Sequence, residues 1–296
     1  MTDSVFEHAD VERLLDVAIE EDLREEGDVT SRVIPADATC RAQVIYREGG
    51  VVCGLPLAVK VLARIVPEAR FTANHADGDV VEPGTAVAEL AGPARGVLAA
   101  ERLLLNLLQR LGGVATATKR FVDAIHGTSA HVLDTRKTTP GWRLLEKYAV
   151  RTGGGVNHRF GLYDQVLLKD NHLALMGGET RIPDVIARAR EAAPPGTPVE
   201  IEVTTCEGAL EASRAGAEIV LLDNMDPPQL AVTVTKVRHD AHARGVEPPL
   251  LEASGGIDLD TIVGYAQTGV DRISSGWITH SSPALDVALD FLPPEA

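Results

Sequence analysis

Val199-Glu-Ile-Glu-Val-Thr-Thr-Cys-Glu-Gly-Ala-Leu-Glu-Ala-Ser-Arg-Ala-Gly-Ala-Glu-Ile-Val-Leu-Leu-Asp223 is the stretch whose reading decides the fold. Val199–Val203 reads as a short strand. Glu207–Ala215 has the spacing of an amphipathic helix, and Ile219–Asp223 is a second, almost wholly apolar strand. Strand, helix and strand in so short a span form a βαβ unit, whose strands run parallel. The pattern extends in both directions. His131–Thr135 and Gln165–Lys169 precede it, and Leu250–Ser254 and Arg272–Ser275 follow. Helices are predicted over Pro183–Ala193, Gln229–Ala243 and Leu259–Thr268. Near-continuous apolar strands are those of a parallel sheet buried on both faces.

Each of these strands ends in polar residues: Asp134-Thr-Arg-Lys137, Lys169-Asp-Asn-His172, Glu202, Asp223-Asn224, Ser254-Gly-Gly256 and Ser275-Gly276. A β/α barrel gathers the C-terminal ends of its strands around one mouth, where such folds carry their chemistry. Arg136, Lys137, Arg159 and Lys169 supply donors for carboxylate or phosphate, arginine bidentately. Gly153-Gly-Gly155 and Ser254-Gly-Gly256 expose backbone N–H groups suited to phosphate oxygens. Glu202 and Asp223 are oxygen ligands of the kind Mg²⁺ prefers. From Asp134 to His172 the local charge balance is +3 in a chain whose net charge is −15, a positive island that focuses an anionic small molecule.

Plainer readings stand beside these. Arg143 and Lys147, four apart on one helix, read as a solvated face. His172 reads equally as a structural histidine. Lys169 alone suits a Schiff-base aldolase. Asp77-Gly-Asp-Val-Val-Glu-Pro-Gly84 resembles a biotinyl or lipoyl carrier hairpin, but no modifiable lysine in a Met-Lys-Met setting follows it.

The first part of the chain has a different texture. Asp10–Glu21 is predicted helical and Cys40–Leu90 mostly β. Ala42–Tyr46 and Val51–Cys53 flank Glu48-Gly-Gly50 as a hairpin, and a helix is expected over Leu57–Ile65. Ala99–Leu111 is an apolar helix that Gly112-Gly113 is expected to break before a second helix, Val114–Ile125. The domain boundary is set near 113, giving a small α+β domain over 1–113 and a barrel over 114–280. Pro283–Leu292 is predicted as a short helix in a tail, 281–296, that rejoins the first domain. A pI near 5.0 argues against a nucleic-acid binder. No apolar run has the length of a membrane span, and Met1–His8 lacks the features of a signal peptide, so a cytoplasmic location is expected. Three separated cysteines form neither a disulfide framework nor a thiolate zinc site.

Three segments carry a family resemblance: Asp134-Thr-Arg-Lys-Thr-Thr-Pro-Gly141, Lys147-Tyr-Ala-Val-Arg-Thr-Gly-Gly-Gly-Val-Asn-His-Arg-Phe-Gly-Leu162 and Leu168-Lys-Asp-Asn-His172. With Glu101-Arg-Leu-Leu-Leu-Asn106, Glu200-Ile-Glu-Val203, Leu221-Leu-Asp-Asn224, Glu252-Ala-Ser-Gly-Gly-Ile257 and Ser275-Gly-Trp-Ile-Thr-His280, the chain closely resembles the quinolinate phosphoribosyltransferases nearly end to end. The resemblance implies an open, roughly seven-stranded α/β barrel plus a smaller N-terminal α/β sandwich. It implies transfer of phosphoribosyl from 5-phosphoribosyl-1-diphosphate to quinolinate with decarboxylation, assisted by Mg²⁺, in a homodimer with shared active sites. Arg102 from a neighbouring subunit, with Arg136, His158, Arg159 and Lys169, would bind quinolinate. Lys137 would meet the phosphoribosyl donor or the reacting centre. Glu202 and Asp223 would serve the ribose and the metal. Ser254, Gly255, Gly256, Ser275 and Gly276 would cradle the phosphate. Trp277 departs from the smaller residue expected there. A paralogue of the same fold associated with molybdenum transport is the nearest rival.

Overall fold

The computed structural model describes residues 3–177 and 181–293. In chain order the first elements are α1 (Asp3–Phe6), α2 (Ala9–Leu23), β1 (Thr39–Tyr46), β2 (Gly50–Val51), α3 (Leu55–Ile65), β3 (Arg70–Ala73), β4 (Val80–Val81), β5 (Thr85–Pro93) and α4 (Ala94–Ala124). Then follow β6 (His131–Leu133), α5 (Arg143–Thr152), β7 (Val166–Leu168), α6 (Asp170–Leu175), α7 (Ile182–Ala192), β8 (Val199–Val203), α8 (Cys206–Arg214) and β9 (Ile219–Asp223). The last are α9 (Pro227–Arg244), β10 (Leu250–Ser254), α10 (Ile262–Ala266), β11 (Arg272–Ser274), α11 (Trp277–His280) and β12 (Val287–Phe291). Among the described residues no helix is long and apolar enough to cross a membrane.

Two compact units emerge. One takes in the chain up to Lys119, Thr138–Gly154 and the segment from Ile278 on; the other comprises Arg120–Lys137 and Gly155–Trp277. The first is built on a four-stranded antiparallel sheet of order β12-β1-β5-β3. The segment 138–154, assigned from sequence to the barrel, belongs with it. Tyr148 of α5 meets Phe6 edge-on at 4.8 Å and donates from its hydroxyl to Asp77 at 2.8 Å. Asp77 also accepts from the amides of Gly54 and Leu55 at the start of α3, so the turn read as part of a carrier hairpin anchors a helix.

Four sequence expectations fail in this unit for identifiable reasons. Gly112-Gly113 does not break a helix: α4 runs unbroken from Ala94 to Ala124. A Cβ on Gly113 would collide with the carbonyl oxygen of Pro283, so glycine here serves close backbone approach. The tail is a strand: β12 pairs antiparallel with β1 and buries Val287 and Leu289 by alternation. The predicted hairpin does not form, because β1 lies between β12 and β5 while β2 pairs with β4. Finally, Lys147 is fully buried on α5, and Arg143 is half-buried with its Nε donating to Thr138 at 3.1 Å. Neither stands on a solvated face, since α5 is enclosed at six successive positions, Leu145 to Val150.

The second unit carries a six-stranded parallel sheet of order β6-β11-β10-β9-β8-β7. Beside β6 a seventh segment adds one parallel bridge, Leu133 to Val156, so an open barrel of roughly seven members is the observed form. Ile201, Val220, Leu222 and Leu251 on β8, β9 and β10 are fully buried. Thr205 caps α8 by accepting from Gly208 at 3.0 Å, and Asp226 caps α9 by accepting from Gln229 at 2.8 Å.

Candidate active site

The C-terminal ends of the parallel strands enclose a cavity of about 620 Å³. Arg136, Lys137, His158, Arg159 and Lys169 supply its cationic lining. Glu202 and Asp223 supply its acidic lining, and Ser254, Gly255 and Gly256 its loop. Sequence reasoning had named all ten. Polar residues converge here because parallel strands all end on one side of the sheet, and the loops begin where burial ends.

The cationic side is held by local structure. Asp134, fully buried just past β6, accepts from the amide of His158 at 2.9 Å and from Asn157 Nδ2 at 2.6 Å. That carboxylate ties the 156–159 segment to β6. Arg159 Nη1 donates to the carbonyl of Gln165 at 3.2 Å. Burial first, then the positive charge of Arg136, lowers the proton affinity of Arg159. Two guanidiniums that repel each other in one pocket are poised to share an anion. Lys169 forms an ion pair with Glu202. His172 is structural: its Nδ1 accepts from the amide of Lys169 at 2.9 Å and caps α6.

On the acidic side, burial and then the charge of Glu202 raise the proton affinity of Asp223. Hard oxygen donors that repel each other across a cavity suit a divalent cation. Asn224 adopts a left-handed backbone (φ 55°), and its amide donates to Ser254 O at 2.9 Å. Gly255 has φ 110°, and a Cβ there would collide with the Asn224 side chain. The loop therefore needs glycine at that position.

The expected residues Ser275, Gly276 and Arg102 lie apart from the cavity lining. Ser275 is buried; its amide donates to Leu133 O and its hydroxyl to Ile257 O at 2.6 Å. Gly276 follows it outside the lining. Trp277 stacks on Phe121 at 5.6 Å. Arg102 is exposed on α4.

Sequence reasoning assigned no part to Asp134, Glu200, Glu252, Gln165 or Asn224 in holding the site together. Glu200 and Glu252 are fully buried, and with His158 they bring three ligand-capable atoms within 4.8 Å of one another. The period of a strand was the available signal, since each lies two residues ahead of a site residue, Glu202 or Ser254.

Comparison with known proteins converges on one family. Residues 28–112 match the family described as "Quinolinate phosphoribosyl transferase, N-terminal domain", and residues 114–290 match its C-terminal domain. A nicotinate-nucleotide pyrophosphorylase [carboxylating] of Mycobacterium leprae is 42% identical over 276 residues, covering 92% of this chain and 94% of its own. A probable nicotinate-nucleotide pyrophosphorylase [carboxylating] of Bacillus subtilis is 39% identical over 283 residues, covering 96% and 94%. Among solved structures, the nicotinate-nucleotide pyrophosphorylase from Francisella tularensis superposes with a TM-score of 0.88 at 37% identity, covering 99% of this chain and 97% of its own.

Proposed function

The chain belongs to the quinolinate phosphoribosyltransferase family, and from that premise we propose how its residues divide the reaction. The enzyme transfers phosphoribosyl from 5-phosphoribosyl-1-diphosphate to quinolinate with decarboxylation, giving nicotinate mononucleotide, diphosphate and CO₂ in NAD biosynthesis. The observation that carries the proposal is one cavity with a cationic side facing two acids and a glycine loop.

Arg136, His158, Arg159 and Lys169 bind the two carboxylates of quinolinate. Arg102, from a second copy in a homodimer with shared sites, completes that wall. Lys137 meets the phosphoribosyl donor, and Ser254, Gly255 and Gly256 receive its 5-phosphate through backbone amides. Ser275 and Gly276 support that loop from behind, Ser275 through its bond to Ile257. As diphosphate departs, positive charge develops on the ribose ring, and Glu202 and Asp223 stabilise it from fixed positions. Mg²⁺ fits the same two acids, and when bound it would neutralise charge on the diphosphate. Once the ring nitrogen is ribosylated, the pyridinium accepts the electron pair left by CO₂. The cations must then hold the departing carboxylate without favouring the ground state over the transition state. The setting is cytoplasmic.

The test is an assay of purified protein with 5-phosphoribosyl-1-diphosphate and quinolinate, with nicotinate and nicotinamide as competing bases. Release of CO₂ with quinolinate, and little turnover of the monoanionic and neutral bases, is expected. Equal turnover of nicotinate would sink the dicarboxylate reading.

A further inference from the structure

Two fully buried carboxylates in the second unit have no task in the scheme above. Glu200 on β8 and Glu252 on β10 share a face with Glu202 and Ser254, one layer deeper than the cavity lining. Nε2 of His158 lies 3.2 Å from Glu200 Oε2 and 3.4 Å from Glu252 Oε1. Gln165 donates to Glu200, and Arg272 Nε stands 3.4 Å from Glu252 Oε2. Building on the quinolinate reading, we propose that Glu200 and Glu252 are positioning residues of the dicarboxylate pocket: they clamp His158 from beneath and keep its ring positively charged beside Arg136 and Arg159.

The physical case rests on the enclosure. Two adjacent buried carboxylates repel each other and lose their hydration, a cost that only counter-charge offsets. The charged groups that meet the ring are Glu200 and Glu252; Asp134 accepts from the backbone amide of His158, Arg159 is next to it in the chain and Arg272 stands behind Glu252. An imidazolium and Arg272 together make the enclosed set of His158, Glu200, Glu252 and Arg272 neutral; a neutral ring would leave it negative. Burial pushes the His158 proton affinity down, but the two carboxylates outweigh burial and bring its pKa to about 9. Nδ1 stands 2.7 Å from the amide of Arg159, a contact that a neutral ring accepts and an imidazolium gives up. Two ion pairs in a low-dielectric setting outweigh that one local contact. His158 and Arg272 hold the proton affinity of Glu252 down despite burial. A positive ring gives the pocket a cation that a monocarboxylate needs less than a dicarboxylate does.

The experiment follows the ring of His158 by NMR in ¹⁵N-histidine-labelled enzyme, assigned by its loss in His158→Gln. The expected result is a ring protonated through neutral pH that titrates near 9. Glu200→Gln and Glu252→Gln should each bring that titration down by about one unit or more. They should also raise the KM for quinolinate about tenfold at mildly alkaline pH, with the KM for 5-phosphoribosyl-1-diphosphate changed less than about twofold. A ring that titrates near the ordinary 6.5 in the unsubstituted enzyme overturns the proposal, whether or not either variant folds. So does a titration that neither variant moves, or one replaced by a stoichiometric bound metal. The ring titration needs no turnover, so it separates failure of this proposal from failure of the quinolinate reading.

Discussion

The first unit and the second each bury carboxylates completely, and Glu146 in the first is treated in the opposite way from Glu200 and Glu252 in the second. Glu146 on α5 is held by four hydrogen bonds. It accepts from Arg110 Nε at 3.0 Å and Nη2 at 2.6 Å, from the Thr139 amide at 3.0 Å and from the Thr139 hydroxyl at 2.8 Å. Glu200 and Glu252 instead divide one imidazole nitrogen. Among the described residues Glu200 Oε1 and both Glu252 oxygens have no well-formed hydrogen bond. A carboxylate held by four hydrogen bonds is a fastener, fixed in place. A pair met by longer ionic contacts keeps its proton affinities movable, and such groups gather at working sites.

The comparison can be broken most directly at Glu146. Removing one partner of a buried pair strands the other, so Glu146→Ala is expected to cost about 3–5 kcal/mol of stability. Urea unfolding monitored by circular dichroism reads this as a lower midpoint. A loss below about 1 kcal/mol would remove the contrast.

A smaller effect lies in the second unit. His158 has a folded-state pKa of about 9 against an ordinary 6.5. Its contribution is therefore full below about pH 6.5 and is lost as pH rises through 9. The loss is on the order of 3 kcal/mol. Unfolding midpoints measured across that window should show the decline in the native enzyme and lose it in His158→Gln. A decline that persists in the variant belongs to another group.

The smallest change comes from the backbone and touches neither set of carboxylates. Gly255→Ala forces a side chain onto a left-handed residue and against Asn224, a strain of about 1–3 kcal/mol. The KM for 5-phosphoribosyl-1-diphosphate should rise about tenfold, with the pH dependence of stability unchanged. If the KM for quinolinate rises equally, the loop and the cationic side do not act separately.

Much of this molecule was legible in its sequence where residues report on their own neighbourhood. Val199–Val203, Ile219–Asp223 and Leu250–Ser254 are strands at the expected bounds, because short segments rich in apolar residues with polar residues at their ends mark a buried parallel strand and its exit. Glu202, Asp223, Ser254, Gly255 and Gly256 followed from those exits. What stayed hidden depends on distant partners. Gly112 and Gly113 read as breakers until the backbone at Pro283 is seen against them. Val287–Phe291 has apolar residues at both helical and strand spacing, and only β1 decides between them. Lys147 looked solvated because nothing local shows what encloses α5. Glu200 and Glu252 went unassigned because attention fell on strand ends, whereas the charge beneath an end lies one pleat back.

The pairing of β12 with β1 also sets an order of manufacture. Val44 meets Leu289 in that register. A ribosome adding roughly 5–20 residues per second needs tens of seconds to travel between them. Every strand of the parallel sheet has been synthesised by Ser274, before β12 is made. The half of the protein that is translated first must wait, with β1 unpaired along one edge, for the half translated last. During that interval the nascent chain exposes an open sheet edge, the feature most prone to wrong partners.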